Sequence, residues 1–116
     1  MELKLKTQQL KQHLDNLKER YEEHDPPKNR RDKDFFEMVK QETTPVYQLL
    51  TEWEELALAS IKSREVDVHP HQVTSTKENM ELVLMHSYYI DARHKRYMEL
   101  NHSIHYIFDQ MINELS

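Results

Sequence analysis

Eight histidines stand in a chain of 116 residues, and neutral imidazole is the commonest metal-binding side chain. Glu99 and His102 make one Glu-x-x-His pair, the spacing used by di-iron helical bundles. Such a centre needs two of these pairs and a glutamate from each of two further helices, all turned inward. Only one pair is present, and the phase of its helix puts Glu99 and His102 on outer positions. A zinc-protease motif needs two histidines four apart on one helical face. The closest pairs, His69/His71 and His102/His105, lack that spacing. His69-Pro70-His71 reads better as a helix start, because proline suits the first helical position. The expectation is therefore no metal and no cofactor. Nucleophilic catalysis has as little support. Ser60, Ser63, Ser75, Ser87 and Ser103 lie within or at the ends of helical stretches, and none has the glycine flanks of a nucleophile elbow. No catalytic residue is expected, and the chain reads as a non-enzyme. One polar-aromatic group is a candidate site for a metal or small ligand: His86, Tyr89, Asp91 and His94, close to an interhelical turn.

Composition narrows the partners. The formal net charge of −5 is a poor footprint for nucleic acid, which is usually met by a basic patch. The densest basic run, Lys28 to Lys33, is short and falls in a loop. Glycine is absent, which argues against phosphate-cradling loops and tight hairpins. Cysteine is absent too, so disulfides and thiolate chemistry are ruled out. The first residues, Met-Glu-Leu-Lys-Leu-Lys, contain no apolar run of a signal peptide, and the cytoplasm is the expected compartment.

The elements that would position any site are helices. Met80 to Ile90 is the densest apolar stretch, with eight of eleven residues apolar or aromatic. It is too short to span a bilayer, which takes about 20 apolar residues, so no membrane partner is expected. A helix over 2–24 carries Leu3, Leu10, Leu14, Leu17 and Tyr21 at seam spacing, with Leu5 outside it. Asp25-Pro26-Pro27 ends it, since proline and the residue before it both leave the α region. A long helix follows over about 32–63, with Asp32 or Asp34 as its cap. Its apolar or small face runs through Phe36, Val39, Thr43, Val46, Leu49, Leu50, Trp53, Ala57, Ser60 and Ile61. Pro45 interrupts the hydrogen bonding but not the seven-residue register from Val39 to Val46 to Trp53. The helix is thus either kinked and continuous or briefly broken with Thr44 as a new cap, and the register favours the kink or a very short break. Helices over about 70–89 and 92–115 complete the set, the last with Tyr97, Leu100, Ile104, Ile107 and Met111 as its seam. Met98, Phe108, Ile112 and Leu115 widen that seam. The expected architecture is all-α, one four-helix up-and-down bundle over 1–116.

The third helix has more apolar surface than a bundle position needs. With Val73 and Met80 facing the core, Val83 and Leu84 join them, while Leu82, Met85 and Tyr89 fall on the opposite face. Their spacing of three and four repeats the anchor pattern by which helices dock partners. The leading expectation is a protein–protein interaction module that contacts an unknown protein partner or forms a homodimer through Leu82, Met85 and Tyr89. Cover by the second helix or the loop over 25–31 is the competing account.

From Asp34 to Tyr106 the sequence resembles the YppE-like family of small proteins from Gram-positive bacteria. The resemblance rests on Asp34-Phe35-Phe36-Glu37, on Trp53 through Ala57-Leu58 to Ile61-Lys62, and on His69 with Gln72. It continues in Glu81-Leu82-Val83-Leu84 with Ser87-Tyr88, and in Lys95-Arg96-Tyr97. The family's Arg-Pro-type turn after the second helix is replaced here by Arg64-Glu65-Val66. The resemblance implies a four-helix bundle in the cytoplasm and carries over no active site.

Overall fold

Two prolines end the first helix, and the chain then rebuilds a cap before it turns helical again. In the computed structural model, which describes residues 2–116, this gives α1 (Glu2–Glu23), α2 (Lys33–Lys62), α3 (Pro70–Tyr89) and α4 (His94–Glu114). Asp32 caps α2: its Oδ1 accepts from the amides of Asp34 at 2.9 Å and Phe35 at 3.2 Å. α2 runs through Pro45 without a break. Thr44 is no cap; its hydroxyl donates back to the Lys40 carbonyl, as Thr43 does to Val39. The fixed φ of proline is helical, so the loss is limited to the bond its missing N–H would make to Gln41. Burial of Val46, Leu50 and Trp53 beyond it holds the register. A helix of 30 residues is about 45 Å long at the usual rise, and α2 sets the 48 Å long axis.

His69 and Gln72 start α3 with a reciprocal cap. His69 Nδ1 accepts from the His71 amide, and Gln72 Oε1 accepts from the His69 amide, both at 3.0 Å. Pro70 takes the first helical position. At the other end Ile90 adopts φ 52°, ψ 45°, the left-handed conformation that closes a helix and usually falls to glycine. Arg64 does the same after α2, with φ 64°. A chain without glycine has to place ordinary residues there, at a cost of roughly 1–2 kcal/mol each. Arg64 is exposed, so Arg64→Gly relieves the strain without opening the core. Set against the extra chain entropy of glycine, the expected net gain is up to about 1 kcal/mol. A urea midpoint that moves down in Arg64→Gly would contradict this.

α1 and α3 form the central pair of the bundle: each packs against all the other helices, while the backbones of α2 and α4 stay apart among the described residues. Lys11–Asp109 at 2.6 Å, Asp15–His105 at 3.1 Å and stacked Tyr21–Tyr97 fix α1 antiparallel to α4. Thr7 bonds Trp53 at one level, while Leu17 and Arg20 meet Val46 and Glu42 at another, so α2 also runs opposite to α1. The expected seams are the core. Leu3, Leu10, Leu14, Leu17 and Tyr21 are buried in α1, and Tyr97, Leu100, Ile104, Ile107 and Met111 in α4. Phe108 is fully buried, whereas Met98, Ile112 and Leu115 are only half-buried. One seam assignment needs correcting. Phe36 is 55% exposed, and Phe35 packs against the core instead. The first turn of α2 lies at the end of the bundle, where the arc facing the core is set by the neighbouring helix ends. The last turn also falls later than expected, with α4 starting at His94, because Ile90 to Arg93 are spent on the left-handed closure.

Candidate functional site

Because α3 touches three neighbours, its buried arc is wide. Val73, Met80, Val83 and Leu84 are fully buried, and Thr76, Ser87 and Tyr88 join them. The outer ridge splits. Leu82 is 43% exposed. Met85 is half-buried and packs against the core. Tyr89 is half-buried too, its ring edge-on to Phe35 at 5.2 Å. The three residues therefore do not form one free strip, since α2 covers Tyr89 through Phe35.

The same edge of α2 adds an exposed aromatic. Tyr47 lies beside α3: burial, and then the Glu81 carboxylate, push its phenol above the ordinary range. Phe36 precedes Tyr47 by eleven residues, about three turns, and so shares its α3-facing edge. Leu82 and Phe36 thus both stand open, one on each of two packed helices, with Met85, Tyr89 and Phe35 half-sunk on those same helices. Sequence periodicity missed Phe36 as a surface residue because it assigned that residue inward.

The polar group is a helix-end clamp. His86 Nδ1 lies 2.6 Å from Asp91 Oδ1, and Arg30 Nη1 lies 3.8 Å from Asp91 Oδ2. Asp91 directly follows the left-handed Ile90, so its carboxylate ties the closing turn back to α3 and across to the α1–α2 loop. Tyr89 is turned to Phe35, and His94 is exposed with no side-chain bond among the described residues. The structure unites His86 with Asp91 and brings in Arg30, which no sequence spacing indicated. Among the described residues no three histidine or carboxylate groups converge in a way that could hold a metal ion. Glu99 and His102 are exposed, and Glu99 faces Arg96 at 3.9 Å. Ser87 is buried: its hydroxyl donates to the Val83 carbonyl and accepts from Tyr97 Oη, each at 2.6 Å. No helix among the described residues is long and apolar enough to cross a membrane.

Residues 7–115 match a family described as a bacterial domain of unknown function, DUF1798. The chain is 30% identical over 84 residues to the Uncharacterized protein YppE of Bacillus subtilis (strain 168), which covers 72% of this chain and 68% of that protein. It is also similar to the crystal structure of protein yppE from Bacillus subtilis, with a TM-score of 0.84 at 27% identity over 97% of this chain and 91% of that one.

Proposed function

We propose that this chain, which belongs to the bacterial DUF1798 family, works in the cytoplasm as a non-enzymatic protein–protein interaction module. Its contact surface is the α2–α3 face centred on Leu82 and Phe36. The observation that carries this reading is the exposure of both residues, 43% and 55%, on neighbouring helices whose inward seams are otherwise filled. Large apolar side chains gathered on one face mark contact sites more often than singly scattered ones. Half-buried Met85, Tyr89 and Phe35 add adaptable and aromatic surface at the edges. The occupant is a protein partner or a second copy of the chain. Charged substitution separates contact from folding: Leu82→Glu and Phe36→Glu touch exposed positions, and each should change stability by no more than about 0.5 kcal/mol. Met85→Glu is the poorer probe, because Met85 also packs against the core. The double variant should lose self-association by sedimentation, or lose the specific partner that the wild type retains from its native cell. Retention of the same partner and the same oligomeric state by a folded double variant would overturn the assignment.

A further inference from the structure

The seam between α1 and α2 does not close along its whole length. A groove of about 450 Å³ lies there, within the usual range for small-ligand sites. Leu17, Val46 and Leu84 supply its apolar surface, and Arg20, Asn16 and Tyr88 stand among them. We infer that this groove binds a small monocarboxylate with an apolar body, held by the Arg20 guanidinium.

Arg20 is the reason. Its guanidinium carbon sits 4.2 Å over the Tyr88 ring, which fixes the plane of the group. Its Nε is buried with no hydrogen-bond partner, and no carboxylate among the described residues comes within ion-pair distance. Lys6, Lys11 and Lys18 on the same helix each reach one. A buried N–H left unpaired is costly, so it calls for a partner. A guanidinium held flat offers the fork that a carboxylate matches with two bonds.

The rest of the groove selects the ligand. Asn16 Oδ1 already accepts from Gln12 at 3.1 Å, which leaves the Asn16 amide free to donate. Burial pushes the His13 imidazole below its ordinary range, so at neutral pH it is a neutral polar group and not a second cation. Glu42 also lines the groove beside Tyr88, whose phenol is pushed up by burial and then by the Glu42 carboxylate. One cation and one carboxylate leave the groove near neutral. That suits a singly charged ligand with apolar bulk and disfavours phosphates. Pro45 and Val46 form part of the same wall and add apolar surface for the body of the ligand.

Benzoate is a suitable probe, with benzyl alcohol as the neutral control and inorganic phosphate as the multiply charged one. In two-dimensional NMR of the full chain, benzoate should shift the Arg20 Nε–H and the Asn16 amide saturably, in the millimolar range. The two controls should leave these signals in place. Arg20→Gln should abolish the effect. Glu42→Gln, at an exposed position, should tighten binding several-fold by removing a like charge, and it keeps the test open if Arg20→Gln fails to fold. Absence of a saturable shift at Arg20, an equal shift with benzyl alcohol or phosphate, or weaker binding in Glu42→Gln would each overturn the assignment.

Discussion

Replacing Trp53 with alanine should cost the bundle about 3–5 kcal/mol, the usual price of removing a buried aromatic. The upper half of that range is expected, for a geometric reason. The backbones of α2 and α4 do not meet, and Trp53 bridges them with its ring edge-on to Phe108 at 5.4 Å. Helices held apart by α1 and α3 cannot close on the cavity, so little of the loss is recovered by relaxation. The indole also donates to Thr7 Oγ1 at 3.0 Å, and the Thr7 hydroxyl in turn donates to the Leu3 carbonyl at 2.7 Å. Against a typical stability of about 5–15 kcal/mol, the variant stands near unfolding at ambient temperature. Trp53→Phe keeps a ring and loses the donor, so it should cost only about 1–2 kcal/mol. Urea unfolding followed by far-ultraviolet dichroism checks both. A loss below about 1 kcal/mol in Trp53→Ala would remove Trp53 from its role as anchor.

Alkali should unfold this protein across a window set by two buried phenols. Burial above all pushes Tyr97 up to about 12, against the pull of its bond to Ser87. Burial, and then the Glu42 carboxylate, push Tyr88 up to about 12, with Arg20 acting in the opposite direction. An unfolded tyrosine titrates near 10. Below about pH 10 both states keep their phenolic protons, and these groups add no pH dependence. Above it the unfolded chain ionises first, so stability falls as pH rises through 10 towards 12. Both shifts act in the same direction, so their effects add against a typical domain stability of about 5–15 kcal/mol. The part of the tyrosinate absorbance that comes from Tyr88 and Tyr97 should therefore rise together with the loss of helix. Tyr97→Phe should move that loss to higher pH. Ionisation of every tyrosine near pH 10 in a still-folded protein would contradict the burial argument.

The sequence by itself determined the helices and their inward faces. Seam spacing in α1 and α4 names residues that are buried, because a repeat of three and four is a local property of one helix. Proline at 26 and 27, Asp32 and His69-Pro70 mark ends that local sterics and capping dictate. Unbroken register across Pro45 favoured a kink or a very short break, and the helix that forms runs through without a break. The candidate surface was legible only in part: Leu82 is open as its phase required, while Met85 and Tyr89 are partly covered. How wide a helix's buried arc becomes depends on how many neighbours it meets, and α3 meets three. Adjacent Phe35 and Phe36 differ little in local pattern, and the neighbouring end of α3 decides which of them is sheltered. The turn at Ile90 has no glycine to announce it, and its closure by His86, Asp91 and Arg30 is complete only once the α1–α2 loop meets the end of α3. Tertiary structure alone also placed Arg20 over Tyr88 and left its Nε unpaired, since no periodicity links residues 68 apart in the chain.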